Sequence, residues 1–317
     1  MRLLTKELIY PVDGGKTPQC HASTLIRLDG EIHAAWFGGT HEKADDVEIW
    51  HAVRKSDGWC EARMVSPGGN IACWNPVLYK EGKRVLLWYK RGAEIAGWQT
   101  FVRTLENGIW SDERELIPGD TSGGRGPVKN KPILLSDGVL IAGASHETPG
   151  GASWRVFFDR SSDGGGTWER TDYINDDSVK LIQPTLWESE TGVHALLRSA
   201  SGYIYRTDSA DLGCTWSAPY PTSMPNNNSG IDLARMDDGT LALVGNPVGD
   251  NWGARSPISL YLSHDDGETW VKEMDLATRQ QDGEGEFSYP AVIYEDGGLH
   301  ITFTYKRRSV MYCRVEV

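Results

Sequence analysis

Apolar and polar positions alternate along this chain in short bursts broken by turns. Six segments share one pattern: "HASTLIRLDG" from His21, "NPVLYKEG" from Asn75, "KPILLSDG" from Lys131, "QPTLWESETG" from Gln183, "GIDLARMDDG" from Gly230 and "YPAVIYEDG" from Tyr289. A second apolar run follows each: "EIHAAWFGG", "RVLLWYKR", "VLIAGASH", "VHALLRS", "TLALVGN" and "LHITFTYKRR". Each pair reads as a strand, a tight turn near the glycine and a returning strand.

A second phrase keeps step with the first. It is Ser-x-Asp-x-Gly-x-Thr-Trp, as "SSDGGGTW" (Ser161 to Trp168), "SADLGCTW" (Ser209 to Trp216) and "SHDDGETW" (Ser263 to Trp270). The Asp carboxylate suits a turn because it accepts backbone N–H bonds. The Gly permits positive φ, and the Trp offers a large ring to pack against the sheet. Weaker echoes end at Trp59 and Trp110. These tryptophans recur roughly every 50 residues, the spacing of propeller blades with about four strands each.

Six copies predict an all-β, six-bladed β-propeller with four antiparallel strands per blade, as one domain over residues 1–317. The last blade is one strand short. The N-terminal "LLTKELIY" is expected to supply it and close the ring, which protects the sheet edges.

Composition sharpens this picture. Glycine (36) and tryptophan (13) are abundant, which suits short strands and tight turns. The net charge of −12 argues against nucleic acid or an anionic membrane as partner, yet leaves room for a local basic pocket. The N-terminus lacks the apolar run of a signal peptide, and the five cysteines are scattered without CxxC spacing. Both point to reduced thiols and a cytoplasmic protein. No HExxH, paired CxxC or phosphate-binding loop is present, so neither a metal nor a cofactor is expected, and His41 near Glu42 and Asp46 is too sparse a set to imply one.

In a propeller the inner strands surround a central axis, and their first residues meet at one mouth with the ends of the second strands. Those positions carry His21, Asn75, Asn130 with Lys131, Gln183, Asn228 with Ser229, and Ser288 with Tyr289. The second-strand ends add Glu42, Asp46, Lys90, Arg198, Arg307 and Arg308. Amides and carboxylates bind hydroxyls, aromatic rings stack on sugar faces, and Arg or Lys grips an acidic group. The set predicts a carbohydrate site. The competing reading is that single members only satisfy backbone groups at blade ends: a strand-end cap for Asp46, a satisfied histidine for His21.

With these phrases in view, the chain resembles the sialidase (neuraminidase) superfamily, and within it an Asp-box (BNR) branch of bacteria and plants. "HASTLIRLDGEIHAAWFGGTHEKADDVEIW", "WNPVLY", "GPVKNKPILL", "IQPTL", "NNSGID" and "EFSYPAVIYEDGGLHITFTYKRR" carry the resemblance, which spans almost the whole chain. It implies Asp46 as acid/base and Arg198 as one of three arginines holding a substrate carboxylate. Other positions depart from the family pattern. Cys20-His21 stands where an arginine is expected, and Asn246 occupies another arginine position, with Arg255 as a substitute nearby. Phe287 takes the nucleophile's place with Tyr289 two residues on, and Gln183 replaces the Glu that activates the tyrosine. A Gln accepts no proton from a Tyr, so Glu286 or His21 must serve as base.

The expected function is a sialidase-like glycoside hydrolase of the exo-α-sialidase type, acting on a terminal acidic sugar. Its catalytic candidates are Asp46, His21, Tyr289 and Glu286. Arg198, Arg307, Arg308, Glu42, Asn75, Lys90, Lys131, Gln183, Asn228 and Ser288 are its binding candidates. A lyase acting on a uronate-containing glycan and a glycan-binding propeller without chemistry are the alternatives.

Overall fold

The computed structural model describes residues 1–317. Six antiparallel sheets follow one another along the chain. Their innermost strands are Gln19–Leu28, Cys73–Glu81, Ile133–Leu134, Leu181–Ser189, Asp232–Arg235 and Phe287–Glu295, packed side by side around the axis. Four blades have four strands. In the first two the outermost strand is split into two short pieces, so those sheets count five. The only α-helix is the four-residue turn Arg279–Asp282, and no helix is long and apolar enough to cross a membrane.

The ring closes as the alternation predicts. Arg2–Leu8 pairs antiparallel with Ser309–Glu316, Arg2 opposite Glu316 and Leu8 opposite Met311. The last blade thus takes its outer strand from the opposite end of the chain.

Each Asp box is a closed hydrogen-bonded turn. In the first, Thr167 N and Ser161 Oγ both donate to Asp163 Oδ1 at 2.8 Å, and Thr167 Oγ1 donates to Oδ2 at 2.8 Å. Gly165 N donates to Ser161 Oγ at 2.7 Å, with Gly165 at a φ of 94°. The same bonds recur around Asp211 and Asp265.

The tryptophans that end these turns do more than pack on their own sheet. Each reaches the preceding blade. Trp216 stacks on Phe158 with ring centroids 3.8 Å apart, Trp168 meets Trp88 edge-on at 6.2 Å, and Trp270 packs into the cluster of Trp187. The echoes behave alike: Trp110 meets His51, and Trp59 meets Tyr312 across the closure. Blade-to-blade cohesion is therefore written into the repeat, each pair adding about 1 kcal/mol beyond area burial. The large apolar clusters also lie between neighbouring blades, the biggest between the fifth and sixth.

One backbone feature recurs on every blade. Ala22, Asn75, Lys129, Gln183, Asn228 and Tyr289 all have left-handed φ between 45° and 68°. Four of these kinks sit in strand-register shifts, where a bulge re-aims a side chain. Asn accepts this conformation readily. Lys, Gln and Tyr are held there by their surroundings at roughly 1 kcal/mol or more each, a strain that collects at functional sites.

Candidate functional site

The kinks bring side chains of different blades together at one mouth. Arg198, at the end of the fourth blade's second strand (Gly192–Ser199), is only 3% exposed. Its Nε donates to Asn228 Oδ1 at 2.8 Å, and its Nη1 to Gln183 Oε1 at 3.1 Å and to the Tyr289 hydroxyl. The rings of Trp154 and Trp252 each stand 5.9 Å from its guanidinium carbon. No carboxylate lies within ion-pair distance of Arg198. A cation this buried is normally paired, so neutral oxygens and π-faces alone hold it in an anion-seeking state.

Tyr289 joins this group to a second one. The His21 ring lies 4.0 Å from its ring, centroid to centroid, and the Arg255 guanidinium is 5.4 Å from it. His21 Nδ1 bonds the Thr304 hydroxyl at 2.8 Å, while its Nε2 is buried with no partner. Burial holds the imidazole neutral, helped by the charges of Arg307, Arg255, Arg198 and Lys129. In the tautomer that carries its proton on Nδ1 and donates it to Thr304, Nε2 keeps a free lone pair.

Glu286 anchors the third side. Its Oε1 accepts from Arg307 Nε at 2.6 Å, Ser288 Oγ at 3.0 Å and Arg255 Nη1 at 3.3 Å, with His21 Nδ1 at 4.0 Å. Arg307 also donates to Glu42 at 2.6 Å. His21, Phe37, Glu42 and Arg307 line a narrow crevice beside them. A larger hollow at Ile9, Tyr10 and Trp59 lies on the outer flank of the first blade and shares none of these groups.

Of the residues expected at the mouth, His21, Arg198, Gln183, Asn228 and Tyr289 meet directly or through one neighbour, and Glu286, Ser288, Arg307 and Glu42 form the adjoining cluster. Asn75 is buried at its kink with no side-chain hydrogen bond. The other four are placed differently. Lys90 is fully buried, and its ammonium donates to Thr100 Oγ1, Arg125 O and Gly126 O, so no donor is left for a ligand. Lys131 lies deeper in the channel on Asp232, at 3.0 and 3.1 Å, and on Leu233 O at 2.7 Å. Arg308 is exposed and pairs with Asp13 at 2.5 Å on the outer loop. Asp46 is exposed and folds back on Thr40, accepting from its N at 3.0 Å and its Oγ1 at 2.5 Å. Those hydrogen bonds hold its carboxyl below the usual range, as in a turn cap.

Three contributors escaped the sequence reading. Lys129, rather than Lys131, takes the kinked position of the third blade. Its ammonium crosses the axis to Ile231 O at 2.9 Å and to Pro290 O, and burial pulls it down to about 7. It floors the site: a Cβ on Gly230 would meet Lys129 Cε at 3.0 Å and Tyr289 Cγ at 3.3 Å. Trp252 is 64% exposed at a φ of 58°, tied to the fifth blade through Asn227 O. Glu147 ends the second strand of the third blade, one residue past the "VLIAGASH" run.

The BNR repeat-like domain family matches residues 30–301. No curated protein sequence matches the chain. Among solved structures, a protein of unknown function from Dyadobacter fermentans superposes with a TM-score of 0.81 at 16% identity, covering 100% of this chain and 99% of its own. The NanB sialidase of Streptococcus pneumoniae gives 0.75 at 13%, over 98% of this chain and 70% of its own. The Trypanosoma rangeli sialidase, solved as a covalent intermediate with 2,3-difluorosialic acid, gives 0.73 at 15%. It covers 99% of this chain, which in turn spans 58% of that enzyme. At these identities the likeness is one of fold.

Proposed function

The chain belongs to the BNR repeat-like domain family, and from that premise we propose that it is a glycoside hydrolase removing a terminal, carboxylate-bearing sugar from a glycan or oligosaccharide. One observation carries the reading: Arg198 is buried without a counter-ion beside two tryptophans and a tyrosine. A sugar carboxylate supplies the missing charge, and guanidinium–carboxylate hydrogen bonds in a desolvated pocket are strong and directional. Trp252 and Trp154 offer faces for the sugar rings. The sialidase neighbours, one of them bound to a sialic acid derivative, fit the same substrate class.

The chemistry follows from Tyr289. Tyr289, whose hydroxyl accepts from Arg198, supplies the nucleophilic oxygen, and His21 packed on its ring takes the proton as the bond to the anomeric carbon forms. Water then releases the sugar as His21 returns the proton to the tyrosine. Glu286, whose Oε1 accepts from Arg255, Arg307 and Ser288, orients the two arginines.

A second reading draws on Asp46. Because its carboxyl is turned to Thr40 and held ionised, the expected acid is poorly tuned, and an elimination on a uronate needs chiefly a base and a neutralised carboxylate, which His21 and Arg198 supply. Mass spectrometry on a panel of sialylated and uronate-containing oligosaccharides separates the two. Products that sum to the substrate plus one water support hydrolysis; an unsaturated product with no water gained supports the lyase. If neither forms while a glycan still binds, the propeller is a binding module and the enzymatic reading falls.

A further inference from the structure

We infer that Glu147 is the carboxylic acid that protonates the departing sugar oxygen. The inference rests on the hydrolytic reading above. Glu147 is the last residue of Leu140–Glu147, the second strand of the third blade, and Arg198 the last but one of Gly192–Ser199, the second strand of the fourth. It lies directly opposite Trp154 in the sheet. Cross-strand partners project from the same face. Trp154 faces the fourth blade, with the Arg198 guanidinium carbon 5.9 Å from its ring, so Glu147 looks toward the same cation.

Its carboxyl group is half-buried and has neither a hydrogen-bond partner nor an ion pair in the protein, unlike Glu42, Glu286 and Asp46 around the same mouth. A free carboxyl beside a sugar pocket is the group a glycosidase needs. Burial raises its proton affinity, against the opposing charge of Arg198. The other charged groups nearby are engaged elsewhere, although the Lys180 ammonium also stands 5.9 Å from the Trp154 ring. His146 bonds the Tyr173 hydroxyl, Arg155 pairs with Asp177, and Lys180 donates to Gly151 O. Glu147 therefore holds a proton to higher pH than Asp46 does.

In the first step the glycosidic C–O bond breaks with its electron pair on oxygen, and that oxygen takes the Glu147 proton as Tyr289 bonds to the anomeric carbon. In the second, Glu147 carboxylate takes a proton from the attacking water, and the C–O bond to Tyr289 breaks. The acid is restored and one water has been consumed.

The test compares wild type with Glu147→Gln on 4-nitrophenyl and methyl α-glycosides of N-acetylneuraminic acid and glycosides of glucuronic acid. A nitrophenolate leaves without help, a methoxide does not. The expected result is a loss of kcat/KM of at least ~100-fold on the methyl glycoside and less than ~10-fold on the aryl one. The alkaline limb of the wild-type methyl-glycoside profile should vanish in the variant, with an unchanged melting midpoint. Equal losses on both substrates, or an unmoved alkaline limb, would overturn the assignment while leaving hydrolysis intact. A wild type that cleaves neither substrate class overturns the hydrolytic reading itself, and the role of Glu147 with it.

Discussion

Arg198 on the fourth blade donates a hydrogen bond to the Tyr289 hydroxyl on the sixth, so two blades that are not neighbours meet across the mouth. The contact needs both the kink that aims Tyr289 and the strand end that carries Arg198. Replacing Arg198 by Lys keeps the charge and removes the fork that serves Asn228, Gln183 and Tyr289 at once. Arg198→Lys is expected to lower kcat/KM on carboxylated glycosides by ~100-fold or more, with KM rising. A change under threefold would remove Arg198 from the substrate.

Tyr289→Phe removes the hydroxyl alone, and the ring keeps its packing on His21. We expect kcat to fall by at least ~1000-fold on the aryl glycoside while binding of the free acidic sugar, read by calorimetry, changes little. Retained turnover would show that water attacks directly.

Several histidines are buried in the neutral state, and this sets the acid limit of stability. Burial lowers His21 well below its ordinary value, His51 to about 3 and His300 to about 4. A base whose folded value is depressed takes up its proton first in the unfolded chain. Its contribution is whole above about pH 6.5 and is lost as pH falls below that. Each histidine should withdraw on the order of 1 kcal/mol per pH unit. The urea midpoint is expected to drop between pH 7 and pH 5, with a shallower slope in His51→Gln. Equal midpoints at the two pH values would contradict this.

The tryptophan turns test the blade contacts separately from the site. Trp216→Ala removes the ring stacked on Phe158 and is expected to destabilise by about 3 kcal/mol. Activity at 25 °C should stay within twofold, because the turn lies away from the mouth. Calorimetric melting and a single-substrate assay on one preparation decide the point.

Closure by Arg2–Leu8 predicts that its removal exposes the edge of Ser309–Glu316. A chain lacking residues 1–8 should form concentration-dependent oligomers in light scattering. Persistence as a well-folded monomer would mean that the last blade tolerates an open edge.

Most of the fold was legible because the repeat is local: a turn with Asp and Gly, an apolar run, and a Trp at a fixed offset. The short outer strand of the last blade was legible by counting. The site was harder to read. Lys131 precedes a proline at the start of its inner strand, as Asn75, Gln183 and Tyr289 do, whereas the backbone kink falls at Lys129, two residues earlier. A left-handed φ on a lysine leaves no mark in composition. The directions of Asp46 and Arg308 depended on partners, Thr40 and Asp13, that no spacing rule ties to them. Lys90 read as a mouth cation because its burial is set by Arg125, on a loop of the neighbouring blade. Arg255 was visible only as a substitute, since its place on Glu286 comes from a loop outside the repeat.

The strand Arg2–Leu8 is made before every other strand of the propeller, yet its partner Ser309–Glu316 is made after all of them. While the strands between them are being made, Arg2–Leu8 has nothing to pair with. The earlier blades can assemble one upon another as they emerge, but the circle is sewn shut only when the final strand arrives. A nascent chain stalled before that point would present a crescent of finished sheets with two raw ends, and chaperone retention should persist until Ser309–Glu316 has emerged.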